Sequence, residues 1–354
     1  MKLRSSKSVK IGSVTIGGGN PVAIQSMTNT KTADKEATLA QIARLRDAGC
    51  DIVRFTVNTP EAAASVPYLV EHAGIPLVAD IHFDYKLALA AADAGISKLR
   101  INPGNIGEED RIRAVAVKCR EKNIPIRIGI NGGSLEKGLL AKYGSPTAEA
   151  LCESALNAAA AFEKYDFDNL VLSVKSSSVQ TMIEANRLLA EKCDYPLHLG
   201  VTETGTSRTG IVKSAVGIGA LLCDGIGDTV RVSLTADPIE EVAAAKEILR
   251  ACGRRTGINL VSCPTCGRTE INLISYAEKL QKEIEKIRTD KPITVALMGC
   301  VVNGPGEARE ADVGVAGGKG EAVLFRKGVI VGKLPESEIV PTLLREIKLL
   351  TESV

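Results

Sequence analysis

The stretch CPTCGRTEIN, residues 263–272, sets Cys263 and Cys266 three positions apart on a turn shaped by Pro264 and Gly267. A third thiol, Cys300, closes the apolar run ITVALMG ahead of a loop reading NGPGEA. Three thiols make an incomplete tetrahedral site, so the question is which metal they would take. Structural zinc wants a second cysteine pair or histidines at finger spacing. The only histidines, His72, His82 and His198, lie well upstream. A cubane cluster needs one ligand per iron, and three thiolates leave one iron for a different donor. The spacing therefore favours iron and sulfur over zinc. Glu307 is the nearest fixed candidate for the fourth position, because a carboxylate is a harder and weaker iron ligand that could yield to a substrate oxygen. It could equally cap its own loop, and spacing alone leaves both readings open. The other six cysteines, Cys50, Cys119, Cys152, Cys193, Cys223 and Cys252, stand singly in apolar patterns and read as small buried hydrophobes.

A second set of chemistry-bearing residues lies upstream. Arg54, Arg100, Arg127, Lys175 and Arg231 each interrupt an apolar, β-branched run, and Asp80, His82, Asn102, Asn131, Thr202, Glu203 and Ser233 stand in or just beyond the later halves of such runs. Strand parity puts Asp80 with His82, Arg100 with Asn102, Arg127 with Asn131 and Arg231 with Ser233 on one side. A charge inside a parallel strand is costly unless it stands at a catalytic mouth. Four guanidinium groups and an ammonium gathered there match a ligand with two phosphates or a diphosphate, since arginine grips phosphate oxygens bidentately. The bland alternative is a separate salt bridge for each of the five, which requires five coincidences. Asp80, His82 and Glu203 are the titratable groups that could move protons or bind hydroxyls. ETGTSRTGIVKSAVGIG reads either as a loop feeding a phosphate-binding helix N-terminus or as a helix packed closely through its small residues.

What must position these residues is a repeating unit: a short strand, a polar loop and an Ala/Leu-rich amphipathic helix. Eight strand-like runs recur, AIQSM (23–27), DIVRFTV (51–57), PLVADIH (76–82), KLRINPG (98–104), PIRIGIN (125–131), NLVLSVK (169–175), PLHLGVTE (196–203) and DTVRVSL (228–234). Their starts are mostly 22 to 32 residues apart, room for one crossover helix each, which forces parallel pairing. The pattern predicts an α/β protein whose (β/α)8 TIM-type barrel gathers the charged strand ends at its C-terminal face. An open doubly wound sheet is the second choice, since no Gly-x-Gly-x-x-Gly follows the first strand. From residue 258 onward strands alternate with two helices, a smaller α+β domain that carries the thiols in its loops. The expected division is 1–255 for the barrel and 256–354 for the second domain.

Composition narrows the possible partners. Lys and Arg number 44 against 42 Asp and Glu, a net charge of +2, so no global basic field exists to hold nucleic acid or a membrane surface. Aromatics are 3% with no Trp, which argues against base stacking. The N-terminal MKLRSSKSVKIG is basic but lacks the apolar core of a signal peptide, and no window reaches the ~18 apolar residues of a membrane span. Nine cysteines, an odd number, argue against a disulfide framework, and a cytoplasmic location is expected.

The stretches SCPTCGRTEINL, ALMGCVVNGPGEAREADVGVAGG and VTETGTSRTGIVKSAVGIGALLCDGIGDTVRVSLT closely resemble the bacterial 4-hydroxy-3-methylbut-2-enyl diphosphate synthases of the non-mevalonate isoprenoid pathway, and the likeness runs over essentially the whole chain. The resemblance implies an oxidoreductase that reductively opens and dehydrates 2-C-methyl-D-erythritol 2,4-cyclodiphosphate to 4-hydroxy-3-methylbut-2-enyl diphosphate. Two electrons would come from ferredoxin or flavodoxin through a 4Fe-4S cluster. The same resemblance implies Cys263, Cys266, Cys300 and Glu307 as cluster ligands, with Asn303 in the loop beside them. It implies that Arg54, Arg100, Arg127, Lys175 and Arg231, helped by Asn102, Asn131 and Ser233, hold the cyclic diphosphate. Asp80, His82 and Thr202 join that substrate-binding set by position. Glu203 and Glu307 are the expected catalytic groups, Glu203 bonding to the departing hydroxyl and supplying its proton. Family members are head-to-tail homodimers in which each cluster domain covers the partner's barrel, and the same sharing is expected here. Two rivals stand beside this reading. One is a non-redox barrel enzyme acting on a phosphorylated substrate, with a structural zinc appendage. The other is a C-terminal interaction or nucleic-acid knuckle, which the near-neutral charge disfavours.

Overall fold

The computed structural model describes residues 2–102, 109–301 and 309–352 of the chain. It divides into two compact units, one running to Arg254 and the other starting at Arg255. In the first, β1 (Val9–Ile11) and β2 (Val14–Ile16) form an antiparallel hairpin. Eight parallel strands follow: β3 (Ala23–Met27), β4 (Ile52–Thr56), β5 (Leu77–Asp80), β6 (Lys98–Ile101), β7 (Ile126–Asn131), β8 (Leu170–Lys175), β9 (His198–Leu199) and β10 (Thr229–Val230). Each lies inside one of the eight runs seen in the sequence. Their spatial order is β8-β7-β6-β5-β4-β3-β10-β9, and a parallel bridge between Leu172 and Leu197 brings β8 back to the approach of β9, closing the ring.

Helices separate the strands because polar side chains start them. Asp34, Thr59, Asp84, Thr147, Ser178 and Asp237 each accept a bond from a backbone N–H of the first turn of the helix that follows. The apolar core runs between this outer helical layer and the sheet, through residues such as Ile42, Phe55, Leu69, Leu99, Leu151, Leu189 and Leu222. The hairpin seals the barrel floor: Val9, Ile11 and Ile16 pack with Ala23, Ile52, Val78 and Val171, early residues of their strands. The opposite rim, where the strands end, is left for chemistry.

The second unit is a five-stranded mixed sheet, β11 (Gly257–Ser262), β12 (Pro292–Met298), β13 (Val313–Gly317), β14 (Glu321–Arg326) and β15 (Val329–Pro335), in sequential order. The first three strands are parallel and the last two join antiparallel. Helices Leu273–Ile284 and Ile339–Glu352 supply Leu280, Ile284, Leu343 and Ile347 to a core with Val295, Leu297, Val313 and Val315. This core is separate from that of the barrel.

Candidate active site

Alternate residues of a strand face the barrel interior, and the inward positions at the strand ends are polar. Met27 on β3, Arg54 and Thr56 on β4, Asp80 on β5 and Arg100 on β6 line one side of a cavity of about 350 Å³. Arg127, Gly129 and Asn131 on β7, with Ser173 and Lys175 on β8, line the other side. His82, Thr202, Arg231 and Ser233, on the loops beyond β5, β9 and β10, complete the rim. All five cations read from the sequence therefore meet in one space. A wider, open groove of about 820 Å³ near the hairpin, between Lys7, Lys10, Lys122 and Asp168, mixes acids with lysines and lies at the N-terminal ends of the strands, away from these groups.

Two carboxylates organise the cations. Asp80 receives Arg100 Nη1 at 3.0 Å and stands 3.7 Å from Arg54 Nε and 3.8 Å from His82 Nε2. Burial alone would raise its pKa, but Arg54 and Arg100 outweigh that and hold it down at about 2, so Asp80 stays ionised. Glu241, on helix Pro238–Ala251, accepts Arg231 Nη2 at 3.2 Å, Ser26 Oγ at 3.0 Å and the Leu234 N–H at 3.0 Å. Arg54 also lies on Met27 Sδ, with Nη2 at 2.9 Å. Burial, opposed by Asp80 and reinforced by Arg231 and Arg100, draws the Arg54 pKa down to about 10.

The remaining cations are underpaired. Arg127 is 1% exposed, and its Nε and Nη2 atoms have no hydrogen-bond partner among the described residues. Burial, then repulsion from Arg54 and Arg100, works against its charge, though a guanidinium keeps its proton in proteins. Burial first, then Arg231 and Arg127, pushes the Lys175 pKa well below the ordinary ammonium range. Four guanidinium groups and a lysine around one lining carboxylate make the cavity a strong attractor for an anion.

Two sequence candidates sit off the cavity wall. Asn102 is buried, and its Nδ2 donates to Ser134 Oγ at 2.9 Å. Glu203 is exposed and adopts a left-handed backbone, φ 55°, unusual for a residue with a side chain. Its loop is pinned: Thr204 Oγ1 donates to the Ser233 carbonyl, and the Thr235 N–H donates to the Gly205 carbonyl at 2.9 Å. Strain held in this way is common where a loop must aim a functional group. The glycines of helix Ser207–Cys223 serve close packing, since a Cβ at Gly210 would lie 2.5 Å from Leu234 Cδ2 and one at Gly217 would lie 2.7 Å from Val201 Cγ2.

Met27, Thr56, Ser173 and Glu241 were not among the sequence candidates. Met27, Thr56 and Ser173 share parity with strand-end polar or charged positions and could have been found that way. Glu241 resembles any acid in a first helical turn and carries no such signal.

In the second unit the thiols sit at the ends of neighbouring parallel strands. Cys263 directly follows β11, and Cys300 lies two residues past β12, whose Leu297 pairs with Ser262. The Gly299 N–H donates to Cys263 Sγ at 3.2 Å. Cys266 is exposed, its N–H donates to Thr269 Oγ1 at 3.1 Å, and hydrogen bonds from Arg268 hold its thiol below the ordinary cysteine range. Among the described residues no three His, Cys, Asp or Glu side chains converge closely enough to grip a single ion. Two reduced thiols at adjacent strand ends and a third on the turn after the first strand, with an amide N–H already turned toward one sulfur, are nevertheless the donor chemistry that an iron–sulfur cluster uses, and a cluster spans more than one ion. Asn303 and Glu307 lie outside the described residues.

A cationic cavity at the mouth of a (β/α)8 barrel, in a chain whose second unit carries three thiols on its strand-end loops, defines an enzyme built for a small polyanionic substrate. The chain belongs to the GcpE family: residues 6–246 match the GcpE TIM-barrel domain and residues 259–349 the GcpE protein C-terminal domain. Over 349 residues it is 55% identical to a Clostridium perfringens protein named 4-hydroxy-3-methylbut-2-en-1-yl diphosphate synthase (flavodoxin), covering 98% of this chain and 99% of that one. A protein of the same name from Geobacillus thermodenitrificans is 54% identical over 345 residues, 97% of this chain and 92% of that one. Dihydropteroate synthase from Stenotrophomonas maltophilia, 15% identical with a TM-score of 0.51 over 70% of this chain and 97% of that one, shares the barrel fold alone. Among the described residues no helix is long and apolar enough to cross a membrane.

Proposed function

We propose that this chain catalyses the two-electron reductive ring opening and dehydration of 2-C-methyl-D-erythritol 2,4-cyclodiphosphate to 4-hydroxy-3-methylbut-2-enyl diphosphate. The observation that carries the reading is the convergence of Arg54, Arg100, Arg127, Lys175 and Arg231 on one cavity of about 350 Å³. Near full-length identity to relatives bearing that activity in their names supports it. Arg127, Lys175 and Arg231 bind the phosphate oxygens. Asp80 and Glu241 orient the guanidinium groups of Arg54, Arg100 and Arg231 and offset their mutual repulsion. As the ring carbon–oxygen bond breaks, negative charge builds on the diphosphate end, where these cations already stand. Asn131, Ser233, Thr202 and His82 offer polar contacts at the rim, with Asn102 holding the adjacent loop. Glu203, on its strained turn, protonates the departing hydroxyl.

The cofactor is a 4Fe-4S cluster held by Cys263, Cys266 and Cys300, with Glu307 as the fourth ligand and Asn303 beside it. What such a cluster supplies is electrons, one at a time, to a substrate whose carbon–oxygen bond must break. Flavodoxin is the proposed donor, in keeping with the names of the relatives, and free thiols fit a reducing, cytoplasmic setting. The site is shared across a homodimer, the cluster of one chain serving the barrel of its partner. Anaerobically purified protein should be brown and hold about four irons per chain, one for each corner of the cubane. One zinc per chain without acid-labile sulfide would overturn the redox reading and restore the zinc appendage.

A further inference from the structure

Beneath the cavity the barrel holds polar groups that the diphosphate reading does not use. Lys98 opens β6 and shares strand parity with Arg100, so its side chain points into the barrel. It is fully buried, and its Nζ has no hydrogen-bond partner among the described residues. Gln25 on β3, Ser173 on β8 and His198 on β9, each 0–1% exposed, add orphaned atoms to the same interior, and His198 Nδ1 reaches only Thr229 Oγ1 at 2.7 Å. The charged and titratable groups facing this space are Arg54 from β4, Asp80 from β5, Arg100 from β6, Arg127 from β7, Lys175 from β8, His198 from β9 and Arg231 beyond β10. Among the described residues Asp80 is the one acid in this set, and its oxygens are already shared by Arg54, Arg100 and His82.

An ammonium with no counter-ion in a ring of guanidinium groups carries a desolvation cost that nothing here offsets, and a lysine can escape it by shedding its proton. A neutral amine also brings a lone pair to a layer whose unpaired atoms are mostly donors, Arg127 Nε and Nη2 and Gln25 Nε2 among them. We propose that Lys98 is neutral in the empty barrel and takes up one proton from solvent when a diphosphate enters the cavity, so that anion binding is coupled to protonation. The proposal rests on the diphosphate reading of the cavity. The balance is simple: the amine lone pair accepts a proton that the bulk buffer gives up, by way of the cavity that Arg127 and Ser173 line. Burial, followed by Arg127 and Arg54, independently holds Lys98 well below the ordinary ammonium range. An incoming anion reverses that field and makes the protonated form the stable one.

Inorganic pyrophosphate is the probe, titrated into the whole anaerobically purified chain and into Lys98→Met. Calorimetry in two buffers of different ionisation enthalpy counts the protons taken up, and the probe's own protonation cancels between the two proteins. Wild type should take up as much as one proton more than the variant. Its affinity should weaken with rising pH more steeply than the variant's, by up to about tenfold per pH unit. In case the variant folds poorly, lysine 13Cε spectra of the wild type alone should show a neutral amine at pH 7, other than that of Lys175, that moves to the ammonium position on adding pyrophosphate. Equal proton uptake by both proteins, or a Lys98 signal at the ammonium position before ligand is added, overturns the coupling alone. Failure of pyrophosphate to bind either protein overturns the diphosphate reading and the coupling with it.

Discussion

Five cations inside one parallel barrel need space as well as charge, and two glycines provide it. A Cβ at Gly129 would stand 2.7 Å from Arg100 Nε, and one at Gly200 would stand 2.9 Å from Lys175 Nζ and 2.6 Å from the Arg231 carbonyl oxygen. Gly129→Ala meets the Arg100 guanidinium, which must shift from Asp80, so the barrel should lose about 1 kcal/mol of stability. Diphosphate affinity, read by calorimetry, should fall about tenfold as one charge-assisted contact weakens. Gly200→Ala meets backbone and should destabilise the barrel by about 2 kcal/mol as well. Asp80 gives the site a pH signature. Its folded pKa of about 2 lies below its ordinary value of 3.8, so its stabilisation is full above pH 4 and fades as pH falls toward 2. The stability gap between wild type and Asp80→Asn in urea titrations should shrink by roughly 2 kcal/mol over that window. At this scale the sequence was readable wherever a charge broke an apolar run, because parity fixes the side it faces. Lys98 shared the parity of Arg100 and Asn102 but stood at the start of its run, the end opposite the active site. The strain at Glu203 was invisible, since a positive φ is a property of the closed loop and not of the residue type.

The elements do two jobs: helices brace the strand ends, and the hairpin stoppers the floor. Ile16 on β2 is fully buried against the first residues of the barrel strands. Truncating it to Ala should cost about 3 kcal/mol in thermal or urea unfolding while leaving diphosphate affinity unchanged, because the floor and the mouth are opposite ends of the barrel. A loss of affinity equal to that of Gly129→Ala would mean that the floor shapes the site. The periodic strand–helix alternation made the barrel readable, and its parallel pairing followed from the length of the intervals. The extent of the last two strands was not readable. PLHLGVTE and DTVRVSL look like full strands, yet only His198–Leu199 and Thr229–Val230 keep ladder geometry. Pro196 has no N–H to give, and past Leu199 only scattered bonds follow, such as the Thr202 N–H to the Ser176 carbonyl at 3.2 Å. The glycine-rich helix after β9 allowed two readings in the sequence, and the contacts of Gly210 and Gly217 favour close packing.

For the whole molecule, the proposed function divides between two separate cores, anion binding assigned to the barrel and electron supply to the thiol unit. If the site is shared across a dimer, a barrel-defective chain (Glu203→Gln with Arg231→Ala) reassociated with a cluster-defective one (Cys263→Ser) should recover about a quarter of wild-type activity by random pairing. Mixed dimers that stay inactive would place each site within a single chain. The thiols announced themselves through their spacing, whereas their fourth partner could not be fixed by spacing, and Glu307 lies outside the described residues. The central claim is that an anion-filled barrel and a thiol-bound cluster together open a cyclic diphosphate. Its most direct test is turnover: anaerobic protein with reduced flavodoxin and 2-C-methyl-D-erythritol 2,4-cyclodiphosphate, followed by phosphorus NMR. The account predicts that the cyclic signals give way to those of a linear diphosphate, and that Cys300→Ser loses this conversion while its barrel still binds the substrate. Unchanged cyclic substrate in the presence of fully iron-loaded protein and reduced donor would contradict it.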